Sequence, residues 1–237
     1  MDIVTSLAVV TLAALVHASF QLSVSVLTLL RSHSLGAKRS KARTLRLTTS
    51  FVIGAGVMTL LLLALFSLVL GQFFGSDAPD FVWAVACGLL VGVGLVVWSF
   101  YYRRGKGTTL WIPRVFARHL SERTKATKDP AEAFSLGLTS VISELLFIAA
   151  PLLVSALVLI HLPAPWQLVG IIIYSLVSLL SLLSIWVLAS AGRPLSELQK
   201  WREANKSFLQ FASGGALIVL GFFVYVCKIL TDAAGMS

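Results

Sequence analysis

Ala133-Phe134-Ser135-Leu136-Gly137-Leu138-Thr139-Ser140-Val141-Ile142-Ser143-Glu144-Leu145-Leu146-Phe147-Ile148-Ala149-Ala150-Pro151-Leu152-Leu153 is an apolar run with one carboxylate near its middle. About 20 consecutive apolar residues suffice to cross the hydrocarbon layer of a bilayer, and this run meets that length. Of the 10 Asp and Glu residues in the chain, only Glu144 lies deep inside a hydrophobic segment. A charged group at the bilayer centre costs roughly 2.5–3.5 kcal/mol even on the milder insertion scales, so its presence there points to function.

The rest of the chain has the same character. It is 57% hydrophobic and 12% charged over 237 residues, whereas soluble domains carry about 25% charged residues. A water-soluble core is excluded. The net charge of +9 would suggest nucleic acid in a soluble protein, but here the charges are confined to short connections between apolar runs. No nucleic-acid partner is expected. Cys87 and Cys227 stand in separate apolar segments and form no CxxC, disulfide framework or metal motif. Met1-Asp2 lacks the basic start of a signal peptide, and the apolar run after it is about twice the usual signal length.

Six segments are long enough to cross: Ile3–Leu30, Leu47–Leu70, Phe81–Tyr102, Ala131–Ile160, Pro165–Ala191 and Phe208–Leu230. The connections between them alternate in charge. Arg31–Arg46 holds six Lys and Arg, Arg103–Lys128 eight, and Arg193–Lys206 four, while Gly71–Asp80 has none and two aspartates. Lys228 is the one basic residue outside this pattern. Positive-inside bias then places the basic connections in the cytoplasm and both termini outside, in a cytoplasmic (inner) membrane. The expected fold is an all-α polytopic membrane protein of six transmembrane helices. Residues 1–102 and 131–237 form two three-helix halves, joined by a basic loop over 103–130.

Two basic connections read as amphipathic surface helices. In Trp111–Arg123, Ile112, Val115, Phe116 and Leu120 share one face and Arg114 and Arg118 another; Pro194–Trp201 reads similarly. Three helices per half would set the halves in opposite orientations, an inverted 3+3 repeat. Ala86-Cys87-Gly88 matches Ala212-Ser213-Gly214, and Ser19-Phe20-Gln21-Leu22 resembles Ile142-Ser143-Glu144-Leu145. That alignment makes Gln21 the counterpart of Glu144, and such repeats hold their site near the midplane between the halves.

The polar residues of these helices supply the candidate site. His17, Gln21, Ser25 and Thr28 fall on one continuous stripe of the first helix. Ser140 with Glu144, and Thr139 with Ser143, are spaced four apart on the fourth, and Tyr174, Ser178 and Ser181 follow helical spacing on the fifth. The first and fourth stripes meet at similar depth, giving a proton relay or cation site. One carboxylate, one histidine and one amide are too few and too mixed to name a metal, and no cofactor is expected. Ala84, Gly88 and Gly92, and Ala212 with Ala216, have small-residue spacing that reads as helix packing. Gly54, Gly56 and Pro151 read as places where helices break or kink.

With these residues in view, the helix plan resembles the lysine-exporter superfamily and its relatives, which include small-solute and divalent-cation exporters and the membrane electron carriers of cytochrome c biogenesis. Gly137-Leu138-Thr139-Ser140-Val141-Ile142-Ser143-Glu144, with Pro151 following, is similar to the motif helix in their second half. The resemblance implies alternating access of a small solute or ion where the halves meet. This chain lacks the Pro-Cys pairs of the electron carriers, and it sets Gln21 opposite Glu144 where cation exporters have acids in both halves.

The expected function is therefore transport of a small solute or cation, coupled to protons through Glu144. The rival reading is a non-transporting assembly factor or scaffold that acts through its basic loops on a partner membrane protein or a second copy of itself. An enzyme is not expected: paired cysteines, axial ligand pairs and H-E-x-x-H are all missing from the sequence.

Overall fold

The structure, a computed structural model, describes residues 1–20, 22–34, 41–100, 122–124, 126–191 and 195–230. Every regular element among the described residues is helical. Helix α1 (Ile3–Ser19) starts at Asp2, whose side chain accepts the Thr5 backbone N–H at 3.2 Å. Hydrogen bonding from the Thr5 side chain and backbone holds that carboxyl below its ordinary range. After a break at Phe20, α2 runs over Leu22–Ser34; α3 (Lys41–Phe74) and α4 (Asp80–Phe100) follow.

Helix α5 (Pro130–Ile160) contains Glu144 and begins with a capping box. Asp129 accepts from the Glu132 N–H at 3.0 Å, and Glu132 accepts from the backbone of Lys128 and Asp129. Pro130 occupies the first turn, where its missing N–H costs nothing. Then come α6 (Ala164–Ser178), α7 (Leu180–Ser190), α8 (Leu195–Ala204) and α9 (Lys206–Val224), the last running into a π-helical end at Tyr225–Leu230.

Four helices are long and apolar enough to cross a membrane singly: Ala42–Phe74, Asp80–Phe100, Pro130–Ile160 and Lys206–Ile229. Two bent pairs, α1 with α2 and α6 with α7, each turn by 47° at a short break and bring the number to as many as six. These are the helices of a membrane-embedded protein. Helix α5 is central: 67% of its most apolar window is buried, against 33% or less for the other three.

Close backbone approach fixes the packing. Gly54 of α3 and Gly137 of α5 face each other reciprocally. A methyl group on Gly54 would collide with the Phe134 carbonyl, and one on Gly137 with the Phe51 carbonyl. Helices α4 and α9 meet in the same way: a methyl on Gly94 or on Gly214 would fall 2.8 Å from the other residue's carbonyl oxygen. Trp98 of α4 stacks on Phe211 and donates to its carbonyl at 2.8 Å. At the far end of α5, His161 Nδ1 lies 2.8 Å from the Leu157 carbonyl and Nε2 lies 3.1 Å from Asp77, tying the α3–α4 connection to α5.

Three expectations need correction. Gly54, Gly56 and Pro151 break nothing: α3 and α5 run through them as single helices, and the breaks fall at Phe20 and Leu179 instead. Ala84, Gly88 and Gly92 are exposed, with open space beside both glycines, and Ala212 is exposed too. The packed small residues are Ala86 and Gly94 on α4 and Ser213, Gly214 and Gly221 on α9. In an apolar helix both faces are greasy, so small-residue spacing alone does not tell the lipid-facing side from the packed one. The stripe through His17, Gln21, Ser25 and Thr28 is not continuous, because extended backbone at Phe20 (φ −77°, ψ 145°) interrupts it. The expected surface helix at Trp111–Arg123 lies outside the described residues except for its last two, whereas Leu195–Ala204 is helical.

Candidate functional site

A break in a membrane-crossing helix exposes backbone groups that lipid cannot satisfy, so it survives only where protein encloses it. Phe20 is 3% exposed, and its ring stacks on Phe147 of α5 with centroids 5.7 Å apart. The carbonyls freed at the end of α1 are met one by one. Val16 accepts from the Ser19 hydroxyl at 2.6 Å, and His17 from the Phe20 N–H at 3.1 Å. Ala18 accepts from the Ser181 hydroxyl of α7 at 2.5 Å, and Ser19 from Ser213 of α9 at 3.4 Å.

On the other side of the break, the Ser23 N–H in the first turn of α2 donates to Glu144 Oε1 at 2.6 Å. Glu144 is 3% exposed. A helix N-terminus offers unpaired N–H groups and the positive end of its dipole, which suits a carboxylate. The buried acid of α5 therefore caps the second half of a bent pair, with the negative, carbonyl end of the first half beside it.

The second bent pair reaches the same place. Leu179 interrupts it; the Leu179 N–H returns to Val177 and the Ser178 hydroxyl to Ser175 at 3.1 Å. Five residues before that break, fully buried Tyr174 places its hydroxyl 3.1 Å from His17 Nδ1. Between the two breaks lies a cavity of about 20 Å³, enough for about one water-sized guest. His17, Ser23, Thr59, Glu144, Ser178 and Ser181 supply its polar lining.

The expected site residues divide accordingly. Glu144, His17 and Ser178 line the cavity, and Tyr174 holds His17 from behind. Ser140 is buried and donates to Gly137 at 2.8 Å, while Thr139 and Ser143 bond back to Ser135 and Thr139; none of the three lines the cavity. Ser25 points elsewhere, accepting from Arg202 of α8 at 3.1 Å. Gln21 lies outside the described residues. Three lining or neighbouring groups were not anticipated. Thr59 is a lone hydroxyl in an apolar run, Ser23 lies off the stripe through His17 and Gln21, and Arg202 sits in a basic segment yet is 3% exposed.

Among the described residues no group of three or more His, Cys, Asp and Glu side chains gathers as a metal site. Comparison with protein-family models, with curated proteins and with solved structures gave no match to this chain.

Proposed function

We propose that the chain is an integral membrane carrier that handles a small solute or cation by alternating access, with Glu144 as its ion- or proton-handling group. The observation that carries this reading is the buried Glu144 carboxylate held by the N-terminus of a half-helix at the point where two bent pairs meet. Discontinuous helices whose ends converge on a central site are the usual construction of secondary carriers. An ionisable group inside an apolar span is costly to bury, which favours a functional role over a purely structural one.

Each bent pair counts as one crossing in this reading, giving six crossings in two inverted halves. The pattern of packing supports that symmetry. Exchanging the first three crossings for the last three turns the α1–α6 contact into the α5–α3 contact, and the α1–α9 contact into the α5–α4 contact. The α4–α9 contact maps onto itself. The basic connections lie in the cytoplasm, both termini lie outside, and the membrane is the cytoplasmic one.

The test is flux in proteoliposomes carrying a trapped pH dye, under imposed gradients of sodium, potassium or small zwitterionic solutes. The wild-type protein moves protons against at least one of these gradients, and folded Glu144→Gln does not. Equal rates in the two proteins overturn the reading. In the scaffold alternative, replacing Arg114 and Arg118 abolishes function while Glu144→Gln leaves it intact.

A further inference from the structure

From the lining of the central cavity we infer that it binds one small, desolvated monovalent cation, for which sodium is the natural probe. This rests on the reading of Glu144 as an ion-handling group and adds the kind of ion. Among the described lining residues Glu144 is the one carboxylate, and none is a lysine or arginine. The remaining oxygens are hydroxyls, and the direction of their hydrogen bonds matters. Thr59 donates to the Ala55 carbonyl at 3.0 Å, Ser178 to Ser175 at 3.1 Å and Ser181 to Ala18 at 2.5 Å.

A carbonyl only accepts, so each of these hydroxyls has spent its single hydrogen on the backbone and presents only lone pairs to the space. Ser23 adds an independent sign. It lines the cavity, is 4% exposed, and its Oγ has no hydrogen-bond partner among the described residues. A buried hydroxyl left without a partner has given up its hydration for nothing, and a bound ion would restore it.

Chemistry and size narrow the guest. A cavity whose described lining is rich in acceptor oxygens and includes a carboxylate suits a single positive charge better than an anion. Calcium takes 6–8 oxygen ligands, commonly from several carboxylates, and soft transition metals want thiolates or grouped imidazoles. Neither donor set is present among the described lining residues. A volume of about 20 Å³ admits one water-sized body, which excludes hydrated ions and organic solutes.

The experiment measures radioactive sodium binding and thermal unfolding of the full-length protein in detergent, replacing sodium stepwise by N-methylglucamine at constant ionic strength. The wild type binds sodium saturably and gains thermal stability as it does so. Glu144→Gln loses both, and Ser23→Ala and Thr59→Val each weaken binding at least tenfold, with Thr59→Ser restoring it. A folded wild-type protein that responds no better to sodium, lithium or potassium than to N-methylglucamine overturns the inference, as does unchanged affinity in Ser23→Ala and Thr59→Val. Glu144-dependent flux that is indifferent to these cations overturns this inference alone, whereas sodium binding without flux overturns the carrier reading alone.

Discussion

The Ser23 amide and the Glu144 carboxylate meet at 2.6 Å across 121 residues of chain, joining the half-helix α2 to the central helix α5. An amide donating to a carboxylate is stronger than a neutral pair, and the surroundings give α2 an acidic cap that its own sequence does not provide. Removing the acceptor leaves a buried N–H unmet. Glu144→Ala is therefore expected to destabilise the protein by about 1–3 kcal/mol. Glu144→Gln keeps an acceptor oxygen and loses much less, so denaturant unfolding in micelles should separate the two variants. Equal losses would mean that the Ser23 bond contributes nothing.

Backbone contact between α3 and α5 leads to a second expectation. Gly54→Ala and Gly137→Ala each push a methyl group into a main-chain carbonyl, and overpacking of this kind costs about 1–3 kcal/mol. Gly88→Ala and Gly92→Ala meet open space and should leave stability unchanged or slightly raised. Thermal unfolding of the four single variants checks the contrast.

How much of this was legible in the sequence depends on where the determining partners lie. Crossing helices are readable because length and apolarity are local, and Glu144 stands out because a charge in an apolar run is local too. The break at Phe20 is not readable, since neither glycine nor proline marks it. It exists because Ser181, Ser213 and Glu144, all more than 100 residues away, supply the hydrogen bonds that a continuous helix would make internally. Ser140 misled for the opposite reason. Its spacing from Glu144 was right for a shared face, but its hydroxyl turns back to Gly137.

Arg202 is 3% exposed and donates to Ser25, two residues beyond Ser23. A hydrogen bond made by a charged group is worth about 1.5–3 kcal/mol. Arg202→Ala should accordingly reduce stability far more than Lys200→Ala, whose side chain is exposed. A lysine at 202 lacks the planar fork of guanidinium and should rescue poorly. Parallel unfolding curves for the three variants decide the point.

Acid should loosen the start of α1. The Asp2 carboxyl lies below its ordinary range through hydrogen bonding from Thr5. Its capping contribution is complete above the unfolded carboxyl value near pH ~3.9 and disappears as pH falls through the lower, folded value. Protection factors of the first-turn amides, taken relative to the intrinsic exchange rate at each pH, should therefore fall at low pH in the wild type, and Asp2→Ala should already show low protection at neutral pH.

The reciprocal glycine contact has a mechanical corollary. With hydrogen atoms alone separating two main chains at Gly54 and Gly137, α3 and α5 cannot slide past one another and serve as a fixed frame. On the carrier reading proposed above, opening the centre to either compartment would fall to the shorter segments on either side of Phe20 and Leu179. Spin labels on α3 and α5 would keep one separation throughout a working cycle, while labels on α2 and α7 would report the stroke.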